Sequence, residues 1–121
     1  MRKVIIIVFA MIFMLASCVD ATVKQYKLNV IAEYPHDTDS YTQGLFFQDG
    51  QMYETTGMNG KSTLRKVDLE TGKPLKRLDF DKKYFVEGSV IFEDNLYILT
   101  WESRIAFIYD AKTLTYKTSK A

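Results

Sequence analysis

The sequence predicts an all-β protein made of tandem four-stranded units, and three observations carry that expectation. Past Cys18 the apolar residues alternate with polar ones, which is the period of half-buried strands and not of a helix. Short runs rich in β-branched and aromatic residues follow one another with turn dipeptides between them. The chain also matches itself. "QGLFFQDGQMYETTG" from Gln43 lies over "EGSVIFEDNLYILTW" from Glu87 at an offset of 44 without a gap, and "KVDLETG" from Lys66 over "IYDAKTL" from Ile108 at an offset of 42. A four-stranded unit repeating with a period in the forties is the signature of β-propeller blades, and the 121 residues hold about two.

The chain opens on Arg2 and Lys3 followed by the apolar run Val4 to Leu15, which is short for a membrane span and reads as an export signal. The run ends in Leu15-Ala16-Ser17-Cys18. Small residues ahead of a cysteine resemble the lipobox of bacterial lipoproteins, which implies cleavage before Cys18 and acylation of its thiol. Cys18 is the only cysteine, so no intrachain disulfide can form, and lipidation accounts for an unpaired thiol in an exported protein. Residues 1–17 are therefore the expected signal peptide, 18–25 a lipidated tether and 26–121 a partial propeller. The protein is expected on a membrane, facing the periplasm or the cell surface. An ordinary signal peptide and an uncleaved anchor are the other readings.

Tyr26, Leu28, Val30, Ala32 and Tyr34 alternate with mostly polar neighbours and predict a first strand that Pro35 stops. After the polar loop His36 to Ser40, strands are expected at Leu45–Phe47, Met52–Thr56, Thr63–Asp68 and Leu75–Phe80. Asp49-Gly50, Asn59-Gly60 and Thr71-Gly72 supply the turns between them. Without Arg2 and Lys3 the 16 basic residues fall to 14 against 15 acidic, a balance that gives no support to nucleic-acid binding.

Glu87 stands out in "YFVEGSV", a carboxylate in a stretch that otherwise reads as a buried strand. Such a group is costly unless partnered, and so is a candidate for chemistry. The repeat gives it a counterpart: Gln43 and Glu87 each precede a glycine at the start of the first strand of their unit. First strands line the channel of a propeller, so the carboxamide and the carboxylate are expected to converge at its mouth. His36 is the only histidine and no cluster has zinc-ligand spacing, so no metal or other cofactor is expected.

"YPHDTDSYTQGLFF", "YETTGMNGKSTLRKVDLETG", "KYFVEG" and "LYILTW" together resemble the propeller-type glutaminyl-peptide cyclotransferases of plants and bacteria. The resemblance runs from about Val30 to Tyr109. It implies a five-bladed propeller and conversion of the N-terminal glutaminyl residue of a peptide to pyroglutamate with release of ammonia. It further implies that Glu87, after Phe85 and Val86, is the catalytic residue. Tyr41-Thr42-Gln43 falls on the family's Phe-Thr-Gln segment, and Trp101 on a pocket tryptophan. Tyr41, Gln43, Phe85, Val86 and Trp101 are thus the expected substrate-binding residues. The family's other pocket tryptophans, its asparagine and its lysine have no counterpart in this sequence, which is expected to be the N-terminal part of a longer propeller. The alternative is a non-catalytic, lipid-anchored propeller module or an inactive fragment. Nothing in the sequence indicates an oligomeric state.

Overall fold

The computed structural model describes residues 23–121, so the expected export signal and the expected acylation at Cys18 lie outside the described residues. Contacts divide the chain into Met1–Ile31 and Ala32–Ala121, and every strand among the described residues lies in the second unit. Among the described residues eight strands form two four-stranded antiparallel sheets in simple meander order. The first sheet is β1 (Thr42–Gln48), β2 (Gln51–Thr56), β3 (Thr63–Val67) and β4 (Pro74–Asp79). The second is β5 (Val86–Phe92), β6 (Asn95–Thr100), β7 (Ala106–Asp110) and β8 (Tyr116–Lys120). These are two propeller blades, as the internal repeat predicts.

The registers of the blades superpose on the sequence offsets. Leu45 pairs Glu54 and Thr42 pairs Thr56 in the first blade; Ser89 pairs Ile98 and Val86 pairs Thr100 in the second. The strand expected over Tyr26 to Tyr34 is not formed, and residues 23–40 carry no strand. Alternation marks a side-chain face, but a strand also needs a neighbour for its backbone, and every ladder here joins consecutive strands of one blade.

The blades pack face to face, with β5 lying against β1 and β2. Leu64 from the first blade meets Val86, Leu96 and Ile98 from the second, all fully buried. Each such side chain contributes about 1.5–3 kcal/mol by leaving water. Phe80 and Tyr84, on the connection between blades, pack on Phe107 with ring centroids 5.4 and 5.0 Å apart. Thr55 Oγ1 donates across the interface to the Glu87 carbonyl at 2.7 Å. At Gly44 a side chain would meet Thr55 Oγ1 at 2.5 Å and Ser89 N at 2.9 Å, so the close approach of the two first strands requires glycine. Far from this end, Lys66 and Lys76 of the first blade reach the carbonyls of Lys112 and Thr113 in the last turn of the second.

That turn is itself repeated. Asp68 Oδ1 accepts from the Thr71 N–H and hydroxyl, and Asp110 Oδ1 accepts from the same two groups of Thr113. The Thr71 hydroxyl leads in holding the Asp68 carboxyl below the ordinary range. The Thr113 N–H does so for Asp110, with the Thr113 hydroxyl and Lys117 adding to it. Carboxyls depressed in the folded state stabilise it above the unfolded pKa of about 3.9, and that contribution disappears as pH falls through the folded value. The urea midpoint should therefore hold steady above about pH 5 and fall below about pH 4. In an Asp68→Asn/Asp110→Asn double variant the fall should be shallower; an unchanged slope would remove these two turns from the acid response.

Candidate functional site

The end of the blade pair that carries the heads of β1 and β5 is built from the β2–β3 turn and the connection between blades. Ser62, almost wholly buried, ties them together: its hydroxyl donates to the Tyr84 carbonyl at 3.1 Å and accepts from the Val86 N–H at 3.1 Å. Asn59 Nδ2 donates to the Lys83 carbonyl at 3.2 Å. Phe85 is therefore presented from a fixed connection into the space between the two first strands.

Both first strands begin with a β-bulge. On β5, Glu87 and Gly88 together stand opposite Leu99; on β1, Gln43 is the extra residue between the pairs Thr42–Thr56 and Gly44–Thr55. A regular ladder would have set Glu87 opposite Thr100, on the face it shares with buried Ile98. The bulge gives that place to Val86 and turns Glu87 outward. Gln43 is released in the same way.

Tyr41, Gln43, Phe85, Glu87 and Trp101 line one open pocket of about 300 Å³. Of the side chains expected from the sequence to meet substrate, these five come together. Val86 does not: its side chain is fully buried in the interblade core and absent from the pocket wall, because the bulge exchanges its face with that of Glu87. It anchors the strand beneath the site. Glu87 and Gln43 are half-buried, and Tyr41 and Trp101 are about half exposed. The Glu87 carboxylate takes part in none of the ion pairs among the described residues.

The aromatic wall follows from the repeat. Tyr41 and Phe85 are equivalent residues, as are Gly57 and Trp101. The Gly57 N–H donates to the Tyr41 carbonyl at 2.8 Å, and the Trp101 N–H to the Phe85 carbonyl at 3.0 Å. Phe85 stands edge-on between Tyr41, at 6.1 Å, and Trp101, at 5.6 Å. Its ring occupies the space that a side chain at Gly57 would need, with Cε1 2.5 Å from such a Cβ. Tryptophan in one blade and glycine in the other thus make a single row of three rings, a wall suited to a flat polar group.

Beneath the first-blade wall lies a charged cluster that the sequence reading did not single out. Glu54 and Arg65 are 1% and 7% exposed. Glu54 Oε1 accepts from the Thr42 hydroxyl at 2.7 Å and lies 3.0 Å from His36 Nε2. Arg65 Nη1 donates to Asp37 Oδ2 at 2.8 Å and Ser40 Oγ at 2.6 Å, and Arg65 Nε donates to Thr63 Oγ1 at 2.9 Å. Arg65 is the first cause of a lowered Asp37 carboxyl. The signal for this cluster lay in the repeat, where Glu54 and Arg65 fall on the apolar Ile98 and Phe107.

Residues 3–121 match the family model described as glutamine cyclotransferase. The chain belongs to the glutamine cyclotransferase family. A glutaminyl-peptide cyclotransferase of Arabidopsis thaliana is 38% identical over 100 residues, which is 82% of this chain and 31% of the relative. A crystal structure of the Myxococcus xanthus glutaminyl cyclase is similar with a TM-score of 0.64 at 33% identity, covering 76% of this chain and 38% of that one. The chain thus spans about a third of the length of the glutamine cyclotransferase relatives it matches.

Because Trp101 is the sole tryptophan, its emission reports on the wall of this pocket. Gly57→Ala should displace the Phe85 ring, shift Trp101 emission to the red and cost about 1–3 kcal/mol of stability in urea unfolding. Unaltered emission would show that Phe85 holds its place without the glycine.

Proposed function

We propose that the chain carries the proton-transfer site of a glutaminyl-peptide cyclotransferase, with Glu87 as the catalytic residue. The observation that carries this reading is the convergence of Glu87, Gln43 and Trp101 on one pocket in a member of the glutamine cyclotransferase family. The substrate is a peptide with N-terminal glutamine. Its α-amine attacks its own γ-carboxamide carbon, a C–N bond forms to close the five-membered ring, and the C–N bond to the carboxamide nitrogen breaks to release ammonia.

Proximity is largely built into such a substrate, so the protein's work is to fold it into the reactive conformer and move one proton. Glu87 accepts that proton from the attacking amine and returns it to the departing ammonia. Freedom from ion pairing leaves the carboxylate available for both transfers. Gln43, whose carboxamide both donates and accepts, holds the substrate amide or amine. Phe85, Tyr41 and Trp101 pack the folded glutaminyl group and keep water from its flat face. The residues on this chain supply the acid/base and one wall of the site.

Export and anchoring through an acylated Cys18 belong to the same proposal, supported by Arg2, Lys3, the run Val4 to Leu15 and the residues Leu15-Ala16-Ser17 before the cysteine.

Two measurements test these readings. Incubated with a Gln-initiated peptide, the protein should release ammonia above the spontaneous rate, and Glu87→Gln should lower kcat by about 100-fold or more with little change in KM. A peptide that binds and quenches Trp101 without losing ammonia would replace the enzyme by a binding module. Cys18→Ala should move the protein from the membrane fraction to the soluble one; retention on the membrane would exclude a lipid anchor at Cys18.

A further inference from the structure

We propose that Glu54 is a positioning residue for the pocket, acting through Thr42 to fix the wall formed by Tyr41 and Gln43. The proposal rests on the reading of that pocket as the glutaminyl site. Thr42 sits between the two wall residues and, because of the β1 bulge, faces the same side of the sheet as Glu54. Its hydroxyl donates to Glu54 Oε1 at 2.7 Å, and His36 approaches the same oxygen from the loop that leads into the strand. Arg65 holds that loop at two further points, Asp37 and Ser40.

The second blade shows that packing alone does not require charges here. At the same ladder position, where Glu54 pairs Arg65, it carries Ile98 paired with Phe107, and both are buried. Glu54 Oε2 and Arg65 Nη1 are 3.7 Å apart, so direct pairing is looser than the contacts each makes with the loop. A buried ion pair is often no more stabilising than apolar residues of similar size. What the charged pair adds is a grip on residues 36–42, and the second blade, whose Phe85 is held by Ser62 and the connection between blades, has no such loop to hold.

Three variants of the full chain test this: Thr42→Val, Thr42→Ser, and the double variant Glu54→Ile/Arg65→Phe, which copies the second blade. Hydrogen exchange of residues 36–43, followed by mass spectrometry, reads the positioning directly. Ammonia release from a Gln-initiated peptide reads its consequence. Thr42→Val should speed exchange over 36–43 and raise KM, each about fivefold, with kcat held within about twofold. Thr42→Ser, which keeps the hydroxyl, should restore both. The double variant should unfold at or above the wild-type midpoint and still show the faster exchange and higher KM. A Thr42→Val protein unchanged in either exchange or KM overturns the proposal, as does a folded double variant that keeps both. If the double variant fails to fold, the two Thr42 variants decide. A wild type that releases no ammonia counts against the cyclotransferase reading alone; the exchange arm then judges the positioning, with quenching of Trp101 by the peptide in place of KM.

Discussion

A β-strand sends its side chains alternately to two faces, and a single extra residue reverses that assignment for everything on one side of it. The heads of β1 and β5 each contain such a residue, and the site depends on it. Below the bulge, Ser89 and Ile91 face the interblade core; above it, Val86 takes the core place and Glu87 leaves it. In the first blade the same displacement lets Thr42 face Glu54 while Gln43 turns to the pocket. A carboxylate so close to the buried apolar side chains of the interface is tolerable because the backbone, and not the side chain, absorbs the change of face.

The two blades keep their ladders alike and differ in side chains where they meet the pocket. Gly57 and Trp101 occupy one position, and their opposite sizes are complementary because Phe85 leans over the glycine towards the indole. Glu54 and Arg65 occupy the positions of Ile98 and Phe107, one pair sealed by the loop His36 to Ser40 and the other by the opposing sheet. Each buried side-chain N and O among the described residues has a hydrogen-bond partner, so the charged pair is accommodated without an orphaned group. The divergence is therefore local: one repeat carries rigidity for a surface loop, the other apolar contact for the interface.

The repeat made most of the fold legible, because matching strand, turn and strand at one offset fixes ladder partners as well as element type. Leu45–Phe47, Met52–Thr56 and Thr63–Asp68 lie within a residue or two of the observed strands at one or both ends, and the offset placed Gln43 and Glu87 on equivalent positions. The alternation from Tyr26 to Tyr34 misled because it reports faces and carries no information on partners. Val86 misled for a related reason. Adjacent residues of a regular strand point opposite ways, and deciding whether Val86 or Glu87 reaches the pocket required the bulge, which leaves little mark on sequence beyond Gly88. The Glu54–Arg65 cluster was hidden because Glu54 and Arg65 lie far in sequence from each other and from the loop residues His36 and Asp37 that they hold.

A pocket shared between two repeats also constrains how its parts hold register. Glu87 belongs to the second blade and Gln43 to the first, so their separation is only as fixed as the interface between blades. Thr55 donates to the carbonyl of Glu87 itself, at 2.7 Å, and lies within 3.3 Å of the Ser89 hydroxyl, so the first blade grips the bulge at the residue that carries the carboxylate. Gly44 brings the two first strands close enough for that bond to form. Sliding of one blade on the other would have to break this part-buried hydrogen bond and pull Leu64 from Val86, Leu96 and Ile98 together, which couples the geometry of the pocket to the stability of the interface.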